Sequence, residues 1–351
     1  STLFPYTTLF RSEAMGRKVL LALVGIIFLF ALAGCGSKSQ EEVLRALNEK
    51  MDEMTGYQAE AKMTFRTGEK PQVYHVEVWH KQPSYYRVSL KNADKGQSQM
   101  ILRNDEGVFV FTPALNKSFK FVSDWPKNSS QAYLYESLVK DISSDSKAKF
   151  KATKKHYVFE TKTNYPNSEI VPIQEITLRK KDLAPVSVKV MDTDRKALLT
   201  VEFSNVEFNK KFDDDAFDTS KNMTGARLEV PAMAEGKEQV MEVMYPSQLP
   251  EGVQALEEKE VKSADGTRVI MTFGGKKSFT LVQEKAEVLP ATSMPVPVNG
   301  DPVDLGFTVG ALTGQTLTWS YNGVEFTLAS DDLTPEEMVM VASSVQEKAA
   351  K

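Results

Sequence analysis

The sequence has very little of the chemistry that metal sites, disulfides and nucleophilic active sites use. Its 351 residues include one cysteine and three histidines. A single cysteine excludes a disulfide within the chain, and both zinc sites and Cys–His catalytic pairs draw on these two residue types. Carboxylates are plentiful, but no spacing singles out an acid pair. We therefore expect no metal, no cofactor and no enzymatic activity.

The chain also lacks an excess of charge of either sign. Lys and Arg number 43 against 47 Asp and Glu, which leaves a formal charge of -4. This balance does not suggest a nucleic-acid surface, and we expect no nucleic-acid partner. A hydrophobic fraction of 41% excludes a disordered chain, and the length favours about two domains.

Three short motifs could carry ligand chemistry, but each has a simpler interpretation. His75 and His80 are five residues apart in a predicted strand, so their side chains point to opposite faces. Residues 274–278 superficially resemble a phosphate loop, yet they lie between strands and are predicted to form a hairpin. The acidic run 213–215 lacks the spacing of a calcium loop and reads as a solvated linker.

The first residues are unlike the rest of the chain. Residues 2–12 resemble a translated sequencing adapter, so we exclude residues 1–14 from the fold. From residue 15 onwards the chain has the order of a secretory signal, with Arg17 and Lys18 preceding an uninterrupted run of apolar residues and glycine at 19–33. We therefore expect residues 15–34 to be a signal peptide.

The end of this run resembles a bacterial lipobox. Leu32, Ala33 and Gly34 precede Cys35, and in a lipobox the cysteine is acylated and becomes the mature N-terminus. An uncleaved membrane helix is the alternative, but the run of 15 residues is shorter than the roughly 20 that a span needs. We expect acylated Cys35 to bind membrane lipid, residues 35–38 to be a tether, and the protein to be extracytoplasmic.

Hydrophobic periodicity predicts a mainly β, α+β fold. A helix starts with a capping box at Ser39 and Glu42. Strand alternation follows from Tyr57 and recurs at short intervals to residue 208, which indicates a large antiparallel sheet with few helices. The alternating residues of the first strand, Ala59, Ala61, Met63 and Phe65, are our candidates for a hydrophobic cavity.

The periodicity predicts a first domain at 39–220, a linker at 221–244 and a small α+β domain at 245–351. The linker is polar and contains Gly225, Pro231 and Gly236. The second domain has a hairpin signal at Asn322–Gly323, a predicted loop at 290–302, and a terminal helix starting at Thr334 and Pro335.

Several weak motifs of the first domain resemble the LolA family, whose members handle lipoproteins in bacterial envelopes. The motifs are residues 78–83, 86–88, 104–108 and 111–113. This resemblance implies an open, incomplete antiparallel β-barrel covered by helices, with a concave apolar face that takes acyl chains or hydrophobic segments. Gln82 stands where the soluble carrier has an arginine, which argues against a shuttling carrier.

Residues 245–252 and 318–328 resemble the C-terminal module of membrane-anchored proteins from endospore-forming Firmicutes. The whole chain is similar to their sporulation or germination lipoproteins with a LolA-like fold.

Two functions remain open. In the first, the protein binds lipid acyl chains or lipoproteins in its concave face, in sporulation or envelope biogenesis. In the second, it is a regulatory interaction protein that binds a segment of an anti-sigma factor or another membrane protein. An apolar cavity without convergent polar groups would favour the first, and a long exposed strand edge with a charged rim would favour the second.

Overall fold

The computed structural model describes residues 38–66, 71–94, 97–123, 125–126, 130–165, 168, 170–230, 241–263, 266–290 and 293–347. The predicted signal peptide, the lipobox residues Leu32, Ala33 and Gly34, and the predicted acylation site Cys35 lie outside these ranges. The chain divides into two compact units, residues 1–43 and residues 44–351.

The described part of the first unit contains the start of a helix. The Oγ of Ser39 accepts a hydrogen bond from the backbone N–H of Glu42 at 3.2 Å, and the Glu42 carboxylate accepts one from the N–H of Ser39 at 2.7 Å. This reciprocal pairing satisfies two N–H groups that a helix start leaves without partners. The predicted capping box is confirmed.

The described residues form four α-helices and twenty-one strands, with a short 3-10 helix at Pro113–Leu115. The helices are α1 Gln40–Glu53, α2 Tyr135–Ser144, α3 Thr219–Glu229 and α4 Pro335–Ser343. The strands are β1 Gly56–Phe65, β2 Gln72–Lys81, β3 Tyr85–Asn92, β4 Ser98–Asn104, β5 Gly107–Thr112, β6 Lys117–Phe121, β7 Lys149–Ala152, β8 His156–Lys162, β9 Ile173–Arg179, β10 Pro185–Met191, β11 Ala197–Phe208, β12 Met244–Pro246, β13 Val253–Ser263, β14 Gly266–Gly275, β15 Phe279–Lys285, β16 Val296–Val298, β17 Asp301–Asp304, β18 Val309–Thr313, β19 Thr316–Tyr321, β20 Val324–Ala329 and β21 Val345–Glu347.

The larger sheet has twelve strands in the order β16-β6-β5-β4-β3-β2-β1-β11-β10-β9-β8-β7. Strands β1 to β11 pair antiparallel with one another in this sheet, and among the described strands only β16 pairs in parallel, with β6. In the described residues the two outer strands, β16 and β7, pair with no further strand, so the sheet stays open. The predicted mainly β fold with an open antiparallel sheet is confirmed.

The second sheet has seven antiparallel strands in the order β13-β14-β15-β20-β19-β18-β17. Its β19–β20 hairpin turns at Asn322 and Gly323, whose positive φ angles of 52° and 74° fit the predicted Asn–Gly turn. Residues 274–278 form the end and turn of the β14–β15 hairpin, as predicted. The terminal helix α4 has the expected N-cap at Thr334 and capping box with Glu337.

Polar side chains connect the twelve-stranded and the seven-stranded sheets. The buried Gln99 of β4 accepts a hydrogen bond from the N–H of Val309 at 2.7 Å, and Tyr321 donates to Gln72 at 2.6 Å. Buried amide and hydroxyl groups need such partners, because an unpaired one costs about 1–3 kcal/mol. Both sheets belong to the unit 44–351, and the two-domain division stays a prediction.

Two segments that we expected to be irregular contain regular structure. The linker predicted at 221–244 starts inside α3, where Asp218 accepts a hydrogen bond from the N–H of Lys221. This helix contributes Ala226 to a cluster that covers the outer face of β4 and β5. The predicted loop 290–302 contains β16, which extends the larger sheet by pairing with β6. Few apolar residues in each segment made their periodicity weak.

Candidate functional site

The four predicted cavity residues lie on one face of β1, as their alternation indicated. Ala59, Ala61, Met63 and Phe65 are all buried, whereas the intervening Glu60 and Lys62 are exposed. Strands β2 and β11 flank β1, so this row lies at the centre of the larger sheet. The two ends of this row nevertheless have different surroundings, a cavity at Phe65 and a polar network beyond Ala59, at Tyr57.

A cavity of about 210 Å³ opens at the Phe65 end of the row. Met63 and Phe65 line it, whereas Ala59 and Ala61 are buried elsewhere and do not contribute to its wall. The apolar part of the lining is Met63, Phe65, Ala132, Ile170, Val171, Val190, Leu198, Leu199 and Leu305. The polar part is Arg66, Ser130, Tyr133, Tyr165, Lys196, Ser247, Gln248, Asp304, Ser343 and Ser344.

The size of this cavity limits what it can hold. A dry apolar cavity of about 150 Å³ is large enough for benzene, whereas pockets for whole small molecules usually exceed about 300 Å³. A space of about 210 Å³ therefore fits the end of an acyl chain or one large apolar side chain. It encloses only part of a lipid tail, and the remaining methylenes of a bound tail would lie along its open edge.

One wall of the cavity depends on a glycine. Gly306 has a φ of +89°, a conformation that L side chains rarely adopt, and a Cβ at this position would overlap the ring of Phe65. The backbone between β17 and β18 therefore lies directly against that ring. This close approach is how the second sheet completes a cavity whose other wall is β1.

Asp304 is the one carboxylate in the described lining of the cavity. It accepts hydrogen bonds from the hydroxyl of Tyr133 at 2.9 Å and from the N–H of Gly306 at 2.7 Å. Burial raises the pKa of Asp304, although these two hydrogen bonds oppose the increase. Burial also raises the pKa of Tyr133, and the nearby Asp304 charge adds to the effect. No sequence pattern indicates this pair, because its members are far apart in the chain.

A second buried carboxylate holds the loop that forms another wall. Asp141 of α2 accepts hydrogen bonds from the hydroxyl of Ser130 and from the side-chain amide of Gln174, each at 2.7 Å. Burial raises the pKa of Asp141, and the two donors oppose this increase. Ser130 itself lines the cavity, and Gln174 belongs to β9, so this network connects the wall at Ser130 to β9.

The opposite end of the row, at Tyr57, is filled by a polar network. Tyr57 donates to the Glu136 carboxylate at 3.0 Å, and the Nε2 of His80 lies 3.1 Å from the other Glu136 oxygen. The Nδ1 of His80 lies 3.0 Å from the carbonyl oxygen of Tyr85, which can only accept a hydrogen bond, so Nδ1 is the donor. Burial raises the pKa of Glu136, against the lowering effect of His80.

The described ranges contain no group of three or more His, Cys, Asp or Glu side chains that could hold a metal ion. His75 is exposed and His80 is buried, which confirms that they face opposite sides of β2. Among the described helices, none is both long and apolar enough to cross a membrane.

The seven-stranded sheet ends in a long exposed edge at β13. From Gln254 to Lys262 every side chain of this strand is exposed, and in the described residues β13 pairs only with β14. Glu257, Glu258 and Glu260 give the edge an acidic character, while Leu256 is 60% exposed. Long edge strands with free N–H and C=O groups can pair with another extended chain.

Comparisons with known proteins identify close relatives in sequence. The profile of a family described as "Sporulation protein YdcC-like" matches residues 16–217. The chain is 54% identical over 335 residues to "Sporulation protein YdcC" of Bacillus subtilis, covering 95% of this chain and 98% of that protein.

Comparisons of structure give weaker similarities. A crystal structure of MucB is 14% identical, covers 89% of this chain and 100% of that one, and has a TM-score of 0.35. A putative outer membrane lipoprotein-sorting protein domain from Vibrio parahaemolyticus is 12% identical, covers 53% and 100%, and has a TM-score of 0.30.

The similarity in sequence covers nearly the whole chain and nearly the whole relative. It confirms the resemblance to sporulation proteins that the motifs at 245–252 and 318–328 indicated. The chain belongs to the YdcC-like family of sporulation proteins.

Proposed function

We propose that this sporulation-family protein is an extracytoplasmic lipoprotein that is anchored to the membrane by acylated Cys35 and binds the end of a lipid or lipoprotein acyl chain. The observation that carries the proposal is the cavity of about 210 Å³ beside Met63 and Phe65. Polar groups also line it, so it meets the criterion of an apolar cavity only in its apolar wall. Its apolar wall supplies the affinity, since each buried methylene contributes about 0.8 kcal/mol. The function is binding, without a catalytic step.

The cavity can be tested by filling it. Val190 lines the cavity, so Val190→Phe places a ring where the acyl chain would lie. We expect the full chain, held in amphipol without detergent, to bind a fluorescent fatty acid, and Val190→Phe to weaken this binding at least about tenfold. Val122→Phe is the matched control, because Val122 is 91% exposed and outside the cavity. Equal binding by all three proteins would remove the cavity from the proposal.

The anchor is tested separately. Cells supplied with radiolabelled fatty acid should label the wild-type protein and leave Cys35→Ala unlabelled, because the chain has a single cysteine. Equal labelling of both proteins would refute the anchor and leave the cavity untouched.

The exposed edge of β13 favours a second function, the binding of a protein segment in a regulatory role. An anti-sigma factor or another membrane protein could add an extended strand there. A photoreactive amino acid at Val261, which is 37% exposed on this edge, should then form an adduct with a discrete partner in sporulating cells. The same group at Leu228, which is 80% exposed on α3, should not. Matching adduct patterns at both positions would dismiss the edge as a specific site.

A further inference from the structure

Two cationic side chains lie together at the Phe65 end of the cavity. Arg66 directly follows β1, and Lys196 directly precedes β11. These strands pair antiparallel, with Phe65 opposite Leu199, and the N–H of Arg66 donates to the carbonyl of Leu198 at 2.8 Å. The pairing therefore brings the end of one strand and the start of the other to the same edge of the cavity. Both side chains line it and both are exposed.

Neither cation forms an ion pair within the described part of the chain. Among the described residues Arg66 makes one side-chain hydrogen bond, a long one of 3.5 Å to the neutral hydroxyl of Thr200. Lys196 donates a hydrogen bond of 2.8 Å to the Asp192 carboxylate from its backbone N–H. Its side-chain ammonium group takes no part in this bond. The neighbouring Arg195, by contrast, is paired with Glu160.

The carboxylate inside the cavity does not neutralise this edge. Asp304 is engaged by Tyr133 and by the N–H of Gly306, and burial raises its pKa. Its surroundings disfavour a buried negative charge, so the acidic part of a ligand belongs at the exposed edge and the apolar part inside. An amphiphile with a negative headgroup matches this division.

We propose that Arg66 and Lys196 form a headgroup site that selects an anionic amphiphile, a fatty carboxylate or an anionic phospholipid, over a neutral one with the same tail. This inference rests on the proposed acyl-chain function and adds the chemical class of the ligand. The guanidinium group of Arg66 can hold two oxygens of a carboxylate or phosphate, and Lys196 adds a second positive charge.

Competition against the fluorescent fatty acid tests the inference on the full chain in amphipol. Palmitic acid and hexadecanol have equally long tails and differ in headgroup charge. We expect palmitic acid to displace the probe at about fivefold lower concentration than hexadecanol, the effect of two exposed charge pairs. Arg66→Gln combined with Lys196→Gln should abolish the difference, because it weakens the binding of palmitic acid and of the anionic probe and leaves that of hexadecanol unchanged. Phosphatidylglycerol and phosphatidylcholine, tested in the same way, distinguish a phospholipid source from a free fatty acid.

Lys154→Gln combined with Lys155→Gln is the matched control, since both lysines are exposed in the β7–β8 turn and outside the cavity. It removes the same charge and should keep the fivefold preference. Equal displacement by the acid and the alcohol from the wild-type chain would overturn the headgroup site and leave the acyl-chain function standing. If the wild-type chain does not bind the probe, or if Val190→Phe does not weaken that binding, the acyl-chain function is overturned, and the headgroup site with it.

Discussion

The two ends of the inward face of β1 differ in how the space above them is used. At Tyr57 the side chain is fully buried, its hydroxyl also accepts the N–H of Tyr135, and its ring meets that of Tyr135 at 6.2 Å. At Phe65 the same face borders a cavity of about 210 Å³. The Tyr57 end stabilises the fold through paired polar groups and packed rings. The Phe65 end leaves an unfilled space, in which the apolar part of a ligand can pack.

The largest expected effect concerns the filled end. Glu136→Ala removes the carboxylate that pairs with His80 and Tyr57. The Nε2 of His80 and the hydroxyl of Tyr57 then stay buried without this partner. We expect a loss of about 3 kcal/mol in the free energy of unfolding, measured by urea denaturation. Glu53→Ala, at an exposed position of α1, should change stability by less than about 0.5 kcal/mol. If Glu136→Ala lowers the free energy of unfolding no more than Glu53→Ala does, the Tyr57 end does not stabilise the fold as described.

A pair of valines on β10 compares filled and unfilled space directly. Val188 and Val190 are both buried on the same face, but only Val190 lines the cavity. Val188→Phe should overpack the core and cost about 2 kcal/mol, whereas Val190→Phe should cost less than about 1 kcal/mol. Thermal unfolding of the two variants measures the difference, and equal losses would mean that the cavity is not available space.

Two glycines with positive φ test the wall of the cavity. Gly314→Ala carries only the backbone strain of a φ of +57°, about 1 kcal/mol, because nothing lies within 4 Å of its added Cβ. Gly306→Ala adds the overlap with Phe65 and should cost about 1 kcal/mol more. If the two variants are equally stable in urea, the backbone of residue 306 does not lie against Phe65.

The smallest expected effect is a pH dependence. Burial raises the pKa of Asp304 above its usual value of 3.8, so between these two pKa values the folded state binds more protons than the unfolded state. Stability from this group is therefore lost as the pH rises through the window. Relative to Asp304→Asn, we expect the wild-type free energy of unfolding to fall as the pH rises above about 4. A flat difference across this range would show that Asp304 has an ordinary pKa.

The sequence was informative where a pattern is local. Alternation placed Met63 and Phe65 on the inward face of β1, and capping residues placed the starts of α1 and α4. It could not separate Met63 and Phe65, which line the cavity, from Ala59 and Ala61, which do not, because that depends on what packs above each position.

The polar members of the site could not be predicted for a related reason. Asp304 meets Tyr133 across 171 positions of sequence, and Arg66 meets the start of β11 only through strand pairing. The helix α3 was missed because Met223 and Ala226 are too few to produce a clear period. Its N-cap Asp218 was the available signal.

The central claim, that only the Phe65 end of this face takes an acyl chain, can be measured by photocrosslinking. A fatty acid with a diazirine at the end of its tail would be bound to the full chain, activated by light, and located by mass spectrometry. We expect adducts on Met63, Leu199 or Leu305, which line the cavity. Adducts around Tyr57 and Tyr135, or labelling that excess unlabelled palmitic acid does not reduce, would contradict the account.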